Sequence, residues 1–499
     1  MNKKNLKRSS LLLAALMMLS AAGCSNNAAS NNTVANNNNN GGNTASEKPA
    51  KITAMVDIMD VSDENGRAEV TAKYKELTGI ELEIIQPVHN QYYEKVNLAF
   101  ASGDLPDVIE LAPSDNSAFL TYSSQGALVD ITSMVEGSEI LAKANQTLVN
   151  GMKVDGKLYG FPNDLGNGTV TLVRKDWLDN VGAKVPTNYN EYLDMLRKFT
   201  FNDPDKNGQN DTKGVTGAGL DNITDNYRYI LDFMQDAVPG FTKKNGKWVD
   251  GFQEPEMKAA MERIVAAYKE GLIDQDIITN KTSTAREKVI NGEVGVISYW
   301  AGTWNLNLQQ KTEKIDPNAK IVTIPAIQEV SYINRVPAAY CITAACENPE
   351  AAFKYFIEFA HDGGEGQMLF TYGVEGLTYE IKDGKGAMLP QKVDPNTKFK
   401  KTFLDPSIPV IAFEKEVFAV DPLIKESSQI FQSKMVQAQM PAITDTYIKM
   451  NADIIEARST TFSKILLGEY TIEEGLAQYA KKVKEELKMD TILQEMNAK

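Results

Sequence analysis

The sequence predicts an α/β protein in two lobes, and three observations carry that expectation. From Lys51 onward, strand-like apolar runs alternate with stretches of helical period, which implies parallel strands joined by crossover helices. Of the 499 residues, about 450 remain for folding after the start of the chain, more than one hydrophobic core usually serves. A content of 42% hydrophobic and 24% charged residues is ordinary for a soluble globular protein.

The chain opens on an address rather than on structure. Lys3, Lys4, Lys7 and Arg8 form a basic stretch, residues 11–19 are almost wholly apolar, and Leu19-Ser20-Ala21-Ala22-Gly23-Cys24 follows. The apolar run is too short for a membrane span, which needs about 20 residues, and has the layout of a secretory signal. A cysteine after Ala-Gly resembles the lipobox of bacterial lipoproteins, where the thiol is lipidated and becomes the mature N-terminus; Ala21 stands where leucine is usual. Residues 1–23 are therefore expected to be a lipoprotein signal peptide, and Cys24 to carry fatty chains such as palmitate on the outer face of the membrane. An ordinary cleaved signal with an incidental cysteine is the alternative. Residues 24–50, rich in Asn with a run at 37–40, bury too little apolar surface to offset their ordering entropy and are expected to be a disordered tether. As a flexible coil it would span roughly 25–30 Å.

The folded elements then follow in order. Residues 51–59 read as a strand. Val70, Tyr74 and Leu77 share a helical face ended by Gly79, and residues 80–84 alternate with period two. Tyr92, Val96, Ala99 and Phe100 mark the next helix, closed by Gly103, and residues 107–111 the next strand. Further on, Met261, Ile264, Val265 and Tyr268 form one stripe ended by Gly271. Asn348-Pro349 is an N-cap with proline in the first turn, and Thr471 with Glu474 makes a capping box. These stripes read as core faces. Cys341 and Cys346 would lie too far apart along a strand for a disulfide, whose Cα atoms sit about 5–6 Å apart, so two buried thiols are expected.

The net charge of −14 becomes more negative still once the four basic residues of 1–23 are removed, which argues against nucleic acid as a partner. Catalytic signatures are missing: His89 and His361 cannot form an HExxH helix, no Gly-Lys pair is followed by Ser or Thr, and Gly217-Ala218-Gly219 lacks the third glycine of a dinucleotide fingerprint. A glycosidase needs only two carboxylates, so composition leaves hydrolysis open.

Two local patterns point to binding. Asp203, Asp205, Asn207 and Asp211 occupy positions 1, 3, 5 and 9 of an EF-hand-like loop, with Gly208 at position 6 and the Gln209 carbonyl at position 7. Such spacing can aim several oxygens at one Ca²⁺; Gly214 replaces the usual Glu at position 12, and an Asx-rich turn without metal is the alternative. Residues 299–304 hold Trp300 and Trp304 just after an apolar strand, where ligand clefts of α/β folds open and where indole faces stack on sugar rings. Trp177 reads as core.

Several phrases together resemble the extracellular solute-binding proteins, family 1, of ABC importers, in their long lipoprotein-type branch. They are Ser102-Gly103-Asp104-Leu105-Pro106-Asp107, Val154-Asp155-Gly156-Lys157-Leu158-Tyr159-Gly160-Phe161-Pro162, the helix start at 174–182, the acidic loop at 202–211, Cys346-Glu347-Asn348-Pro349-Glu350-Ala351-Ala352 and Tyr372-Gly373-Val374-Glu375-Gly376. The resemblance implies a bilobal type II periplasmic-binding-protein fold, two α/β lobes joined by hinge crossovers near 164–169, 325–337 and 372–379. Residues 51–165 would form the first lobe, with 335–373 returning to it. Residues 166–330 would form the second, with 376–499 mainly packing on it. It further implies a monomer that closes over a carbohydrate and delivers it to an ABC permease, with structural calcium in the acidic loop. Cleft positions expected from strand ends and hinges are Asp60, Asp115, Asn163, Asp164, Tyr227, Trp300, Trp304, Tyr372 and Glu375. A polysaccharide-cleaving surface lipoprotein and a receptor for peptide or another non-sugar solute are the competing readings.

Overall fold

The strand Lys51–Met55 pairs in parallel with Glu81–Ile85 and with Val108–Leu111; the helix Arg67–Thr78 leads from it to Glu81–Ile85, and Tyr92–Ser102 leads from there to Val108–Leu111. Both helices end on a left-handed glycine, Gly79 and Gly103, as their stop signals require. The strand Ala339–Ile342 returns from much later in the chain and runs antiparallel between Val108–Leu111 and Phe161–Pro162, completing a five-stranded sheet. The computed structural model describes residues 48–112 and 118–498, apart from the Asn90 side chain. Cys24, the signal, most of the tether and Asp115 lie outside the described residues. All that is described belongs to one compact unit, Ser46–Lys499.

A second sheet has the order Ile321–Thr323, Thr169–Arg174, Val294–Trp300, Lys213–Thr216. Its strand Thr169–Arg174 is buried along its whole length, as befits a central strand covered on both faces. Arg174 ends it with a two-pronged pair to Asp176 at 2.9 and 2.6 Å and a further bond to Asp316 at 2.8 Å, over the face of Trp177. Trp177 is fully buried, so the Arg-Lys-Asp-Trp phrase closes a core. The Ser-Gly-Asp-Leu-Pro-Asp phrase is structural as well: the Asp107 carboxylate accepts from the Thr53 amide and hydroxyl, each at 2.8 Å, locking the first and third strands together.

The chain passes between the sheets at 163–168 and again at 324–338, which are the segments between their consecutive strands. The third passage lies elsewhere than the expected 372–379. Residues 372–378 form a tight turn instead, in which the Thr378 hydroxyl donates to the Tyr372 carbonyl and accepts from the Val374 amide. The following hairpin, Tyr379–Lys382 with Lys385–Met388, and the chain up to Phe418 stay against the first sheet's helices. Phe403 stacks on Phe370 at 4.6 Å and Phe418 on Tyr372 at 3.7 Å. Only the helix Pro422–Ser433 reaches the second sheet, packing on Thr303–Ile315 and accepting the Gly302 amide on Ser427 at 3.0 Å. Residues 376–421 thus depart from the expected packing on the second lobe, because the Gly373 turn folds the chain back on itself.

The second lobe is finished by the helices Pro255–Glu270, Asp445–Leu466, Ile472–Glu485 and Met489–Ala498. Among them Arg458 and Asp250 form a fully buried ion pair at 2.8 Å, and Tyr479 donates to the other Asp250 oxygen at 2.9 Å. Removing one partner of such a pair strands a buried charge. Cys341 is buried and Cys346 half-buried, and both are free thiols. The Asn348 cap is followed by a stretch of wider π-type turns, Phe353–Glu358, rather than by the regular helix its apolar pattern predicts.

Three residues after that stretch comes His361, which is 1% exposed, sets its Nδ1 2.7 Å from the Ile357 carbonyl and meets the Phe161 ring edge-on. Burial pushes its pKa down from 6.5 to about 4. The folded ring is neutral, whereas the unfolded chain takes up a proton below about 6.5, so this contribution to stability is lost as pH falls from 6.5 toward 4. Urea unfolding of the wild-type chain is expected to weaken across that window by about 3 kcal/mol more than that of His361→Phe. Equal acid sensitivity in the two proteins would contradict this.

Candidate functional site

Both sheets aim the same kind of edge at the passages between them. In the first, the carboxyl ends of Lys51–Met55 and Val108–Leu111 face the point where Leu111 pairs with Ala339, next to the second passage. In the second, Val294–Trp300 ends on Trp300, paired with Thr169 beside the first passage. Ligands of open α/β sheets bind outside such strand ends.

The passages are stitched together there. The Asn163 amide donates to the Ala338 carbonyl at 3.0 Å and the Arg335 amide to the Asn167 carbonyl at 3.1 Å. The short strands Tyr332–Asn334 and Met435–Gln437 run parallel. Asn334, 3% exposed, joins three separate parts of the chain: its Nδ2 donates to the Leu165 carbonyl at 3.3 Å and to the Gln437 Oε1 at 3.0 Å. Gly168 permits the close approach, since a Cβ there would run into the Ile333 carbonyl and the Phe431 ring.

A cavity of about 470 Å³ opens at this crossing. Leu120 contributes from the first lobe, Gly168, Ile333, Arg335 and Val336 from the passages, and Tyr227, Arg228, Trp300, Tyr447 and Asn451 from the second lobe. Two guanidiniums stand over the Trp300 ring, Arg335 at 4.7 Å and Arg228 at 5.5 Å from its centroid. Arg228 is held by its Nε bond to the Asp225 carbonyl at 2.8 Å, and its own carbonyl accepts from the Thr169 hydroxyl at 2.5 Å.

Beside the passages, the first lobe presents a polar cluster. Glu110 accepts from the Asp57 amide at 3.0 Å and from Asn163 Nδ2 at 2.9 Å; burial raises its pKa, with the Lys401 charge opposing. The Asn163 Oδ1 is buried without a partner. The His89 ring lies 2.8 Å from Asp57, and that bond raises its pKa. Asp164 accepts from the Gly166 amide at 2.7 Å; burial raises its pKa, against the pull of Arg335.

Of the expected cleft residues, Tyr227 and Trp300 line the cavity, and Asn163 and Asp164 lie in the passage beside it. Trp304 turns instead to Tyr299, edge-on at 5.0 Å, under the Arg286 guanidinium. Asp60 accepts from the Lys401 amide at 3.1 Å, Tyr372 is buried under Phe418, and Glu375 is exposed on the tight turn. Arg228, Arg335, Asp57, His89 and Glu110 escaped sequence reasoning. Glu110 carried one signal, a carboxylate within an otherwise apolar strand.

The acidic loop bends through positive φ at Asp203, Lys206 and Gly208. Asp203 accepts from the Asn207 and Gly208 amides at 2.9 and 3.0 Å, while the Asn207 Nδ2 donates to Asp205 at 2.9 Å and to Asp211 at 3.2 Å. Among the described residues, no three His, Cys, Asp or Glu side chains are arranged to hold a metal ion. A cation would therefore require the Asn207 amide to turn away from the carboxylates. Gly214, inside the strand Lys213–Thr216 and against Leu196, supplies no twelfth-position ligand.

Two α/β lobes crossed by the chain, with a cavity at the crossing, define a bilobal solute-binding protein. A sequence model of the family bacterial extracellular solute-binding protein matches residues 62–361, and the chain belongs to that family. Lipoprotein LipO of Bacillus subtilis (strain 168) is 28% identical over 360 residues, covering 68% of this chain and 70% of LipO. The polygalacturonan/rhamnogalacturonan-binding protein YtcQ of the same organism is 25% identical over 351 residues, covering 68% of this chain and 69% of YtcQ. The crystal structure of alginate-binding protein AlgQ2 without calcium ion superposes with a TM-score of 0.66 at 22% identity, covering 91% of this chain and 98% of AlgQ2. Among the described residues, no helix is long and apolar enough to cross a membrane.

Replacing Asn334 by alanine is expected to lower the free energy of unfolding by about 1–2 kcal/mol, because the partly buried Leu165 carbonyl and the Gln437 side chain both lose their donor. An Asn334→Ala chain as stable as wild type in urea titration would show that the passages are held without it.

Proposed function

We propose that this chain is an extracellular receptor, held to the membrane through Cys24, that captures an oligosaccharide at its crossing and delivers it to an ABC importer without cleaving it. The observation that carries this reading is the cavity lined by both lobes and by the passages between them. A solute seated there contacts both lobes, so its binding favours the arrangement in which they approach. Aromatic rings beside polar donors suit sugars, whose rings carry C–H faces and hydroxyl edges. YtcQ is named for polygalacturonan and rhamnogalacturonan, and AlgQ2 for alginate, which supports a carbohydrate. A lipid tether would keep the receptor near its permease at high effective concentration.

A thermal-shift panel of oligosaccharides and peptides tests the reading. A saccharide is expected to raise the Tm in a saturable way, by mass action on the folded state, with no new reducing ends. Stabilisation by peptides alone, or release of reducing ends, would overturn it.

Calcium in the acidic loop belongs to the same proposal. The ligands would be Asp203, Asp205, Asn207 and Asp211 with the Gln209 carbonyl, and the cation would brace the loop after the helix Tyr189–Phe201. Burial, together with the neighbouring Asp203 and Asp211, raises the Asp205 pKa, a crowding of carboxylates that a divalent cation relieves. Added Ca²⁺ is expected to raise the Tm and EGTA to reverse the rise; an unchanged Tm with no Ca²⁺ bound would refute the site.

A further inference from the structure

We propose that Lys401 is the residue by which the first lobe grips the saccharide, its ammonium donating to one hydroxyl of a sugar ring while the neighbouring hydroxyl donates to Glu110. This rests on the carbohydrate reading and extends its site from the cavity onto the first lobe.

Sheet topology sets charged side chains where a solute meets the first lobe. Asp57 follows the strand Lys51–Met55, and Glu110 is the next to last residue of Val108–Leu111. Both therefore stand at carboxyl ends of parallel strands, where open α/β sheets bind their solutes. With Asp164 of the first passage they are half-buried. Lys401 joins them from a distant part of the chain, and its backbone is fixed there. The Asp60 amide donates to the Lys401 carbonyl at 3.2 Å, and the Lys401 amide donates back to the Asp60 carboxylate at 3.1 Å. Thr402 is pinned in turn, its amide to the Thr371 carbonyl at 3.0 Å and its hydroxyl to the Leu369 carbonyl at 2.7 Å. Asp60, expected as a cleft residue, thus holds the backbone of one.

The side chain on this rigid backbone is half-buried, yet among the described residues its ammonium makes no hydrogen bond and no ion pair. Its charge still reaches the carboxylates: burial raises the pKa of Glu110 and of Asp164, and Lys401 opposes both rises. It lies near two carboxylates and bonds neither. Lys288 in the second lobe behaves otherwise, closing on both oxygens of Asp274 at 2.7 and 2.8 Å and on Asp276 at 2.8 Å. Lys401 instead presents a donor beside acceptors, an arrangement that two adjacent hydroxyls satisfy because each hydroxyl donates and accepts. Glu110 has capacity left: each oxygen takes one bond, from the Asp57 amide and from Asn163, where a carboxylate oxygen accepts about two. Asp164 also feels the charge of Arg335, which lines the cavity, so the lysine continues the same site. A hydrogen bond from an ammonium is stronger than one from a neutral donor.

The test is calorimetric titration of the full chain with oligogalacturonate, oligoalginate, and neutral fructo- and malto-oligosaccharides. For a saccharide that binds, Lys401→Met keeps the apolar stem, removes the charge, and is expected to weaken binding roughly ten- to hundredfold, as the loss of one charged donor does. Lys400→Met, one position away on an exposed side chain, is expected to leave affinity unchanged. On the wild-type chain, lysine acetylation mapped by mass spectrometry is expected to slow at Lys401 when the same saccharide is added and to stay equal at Lys400. Unchanged affinity in Lys401→Met, or equal labelling of Lys401 with and without saccharide, would overturn the assignment and leave the carbohydrate reading standing. If none of these saccharides binds the wild-type chain, both fall. The labelling needs no variant, so poor folding of Lys401→Met does not blunt the test.

Discussion

The crossing of the chain between its two sheets is the constraint on which the rest of the structure depends. The first sheet is not built from one continuous stretch: it needs Ala339–Ile342 between strands that end before residue 163, and the whole second sheet, residues 169–323, comes in between. The passages must therefore lie side by side, and their backbone polar groups must be satisfied where they are buried. The Asn334 amide meets that demand by bonding the other two chain segments, and Gly168 by having no side chain. The cavity lies at this crossing, where Trp300 at a strand end of the second sheet and Leu120 of the first lobe meet the passages.

Electrostatics then divides the site in two. On one side, the first lobe packs Asp57, Glu110, Asn163 and Asp164 with His89 and Lys401 nearby; on the other, the second lobe and Arg335 place guanidiniums around Trp300. Burial raises the pKa of Glu110 and Asp164, while the charges of Lys401 and Arg335 oppose the rise.

Most phrases that mark the family in the sequence serve the scaffold. Asp107 locks two strands, Asp155-Gly156 turns the chain where Val154 and Lys157 exchange backbone bonds, Asn348 caps a helix, and Thr378 closes the turn after Tyr372. Each is a local backbone requirement with few residue types able to meet it. The cavity lining has no such restriction, which is why the phrases identify the family while leaving the ligand to the tertiary arrangement.

The sequence by itself determined the alternation of strands and helices, their caps and their stops, because those depend on residues a few positions apart. Gly79, Gly103, Gly271 and the Thr471–Glu474 box all mark the ends that the structure has. It also singled out Tyr227 and Trp300, which lie at a helix junction and a strand end. Only the tertiary structure decided that Trp304 faces Tyr299, that Tyr372 is covered by Phe418, and that the third passage waits until Pro422–Ser433. Arg228 and Arg335 stand more than a hundred positions apart in sequence and meet only over Trp300. Contacts of that range arise from packing, and no spacing along the chain announces them.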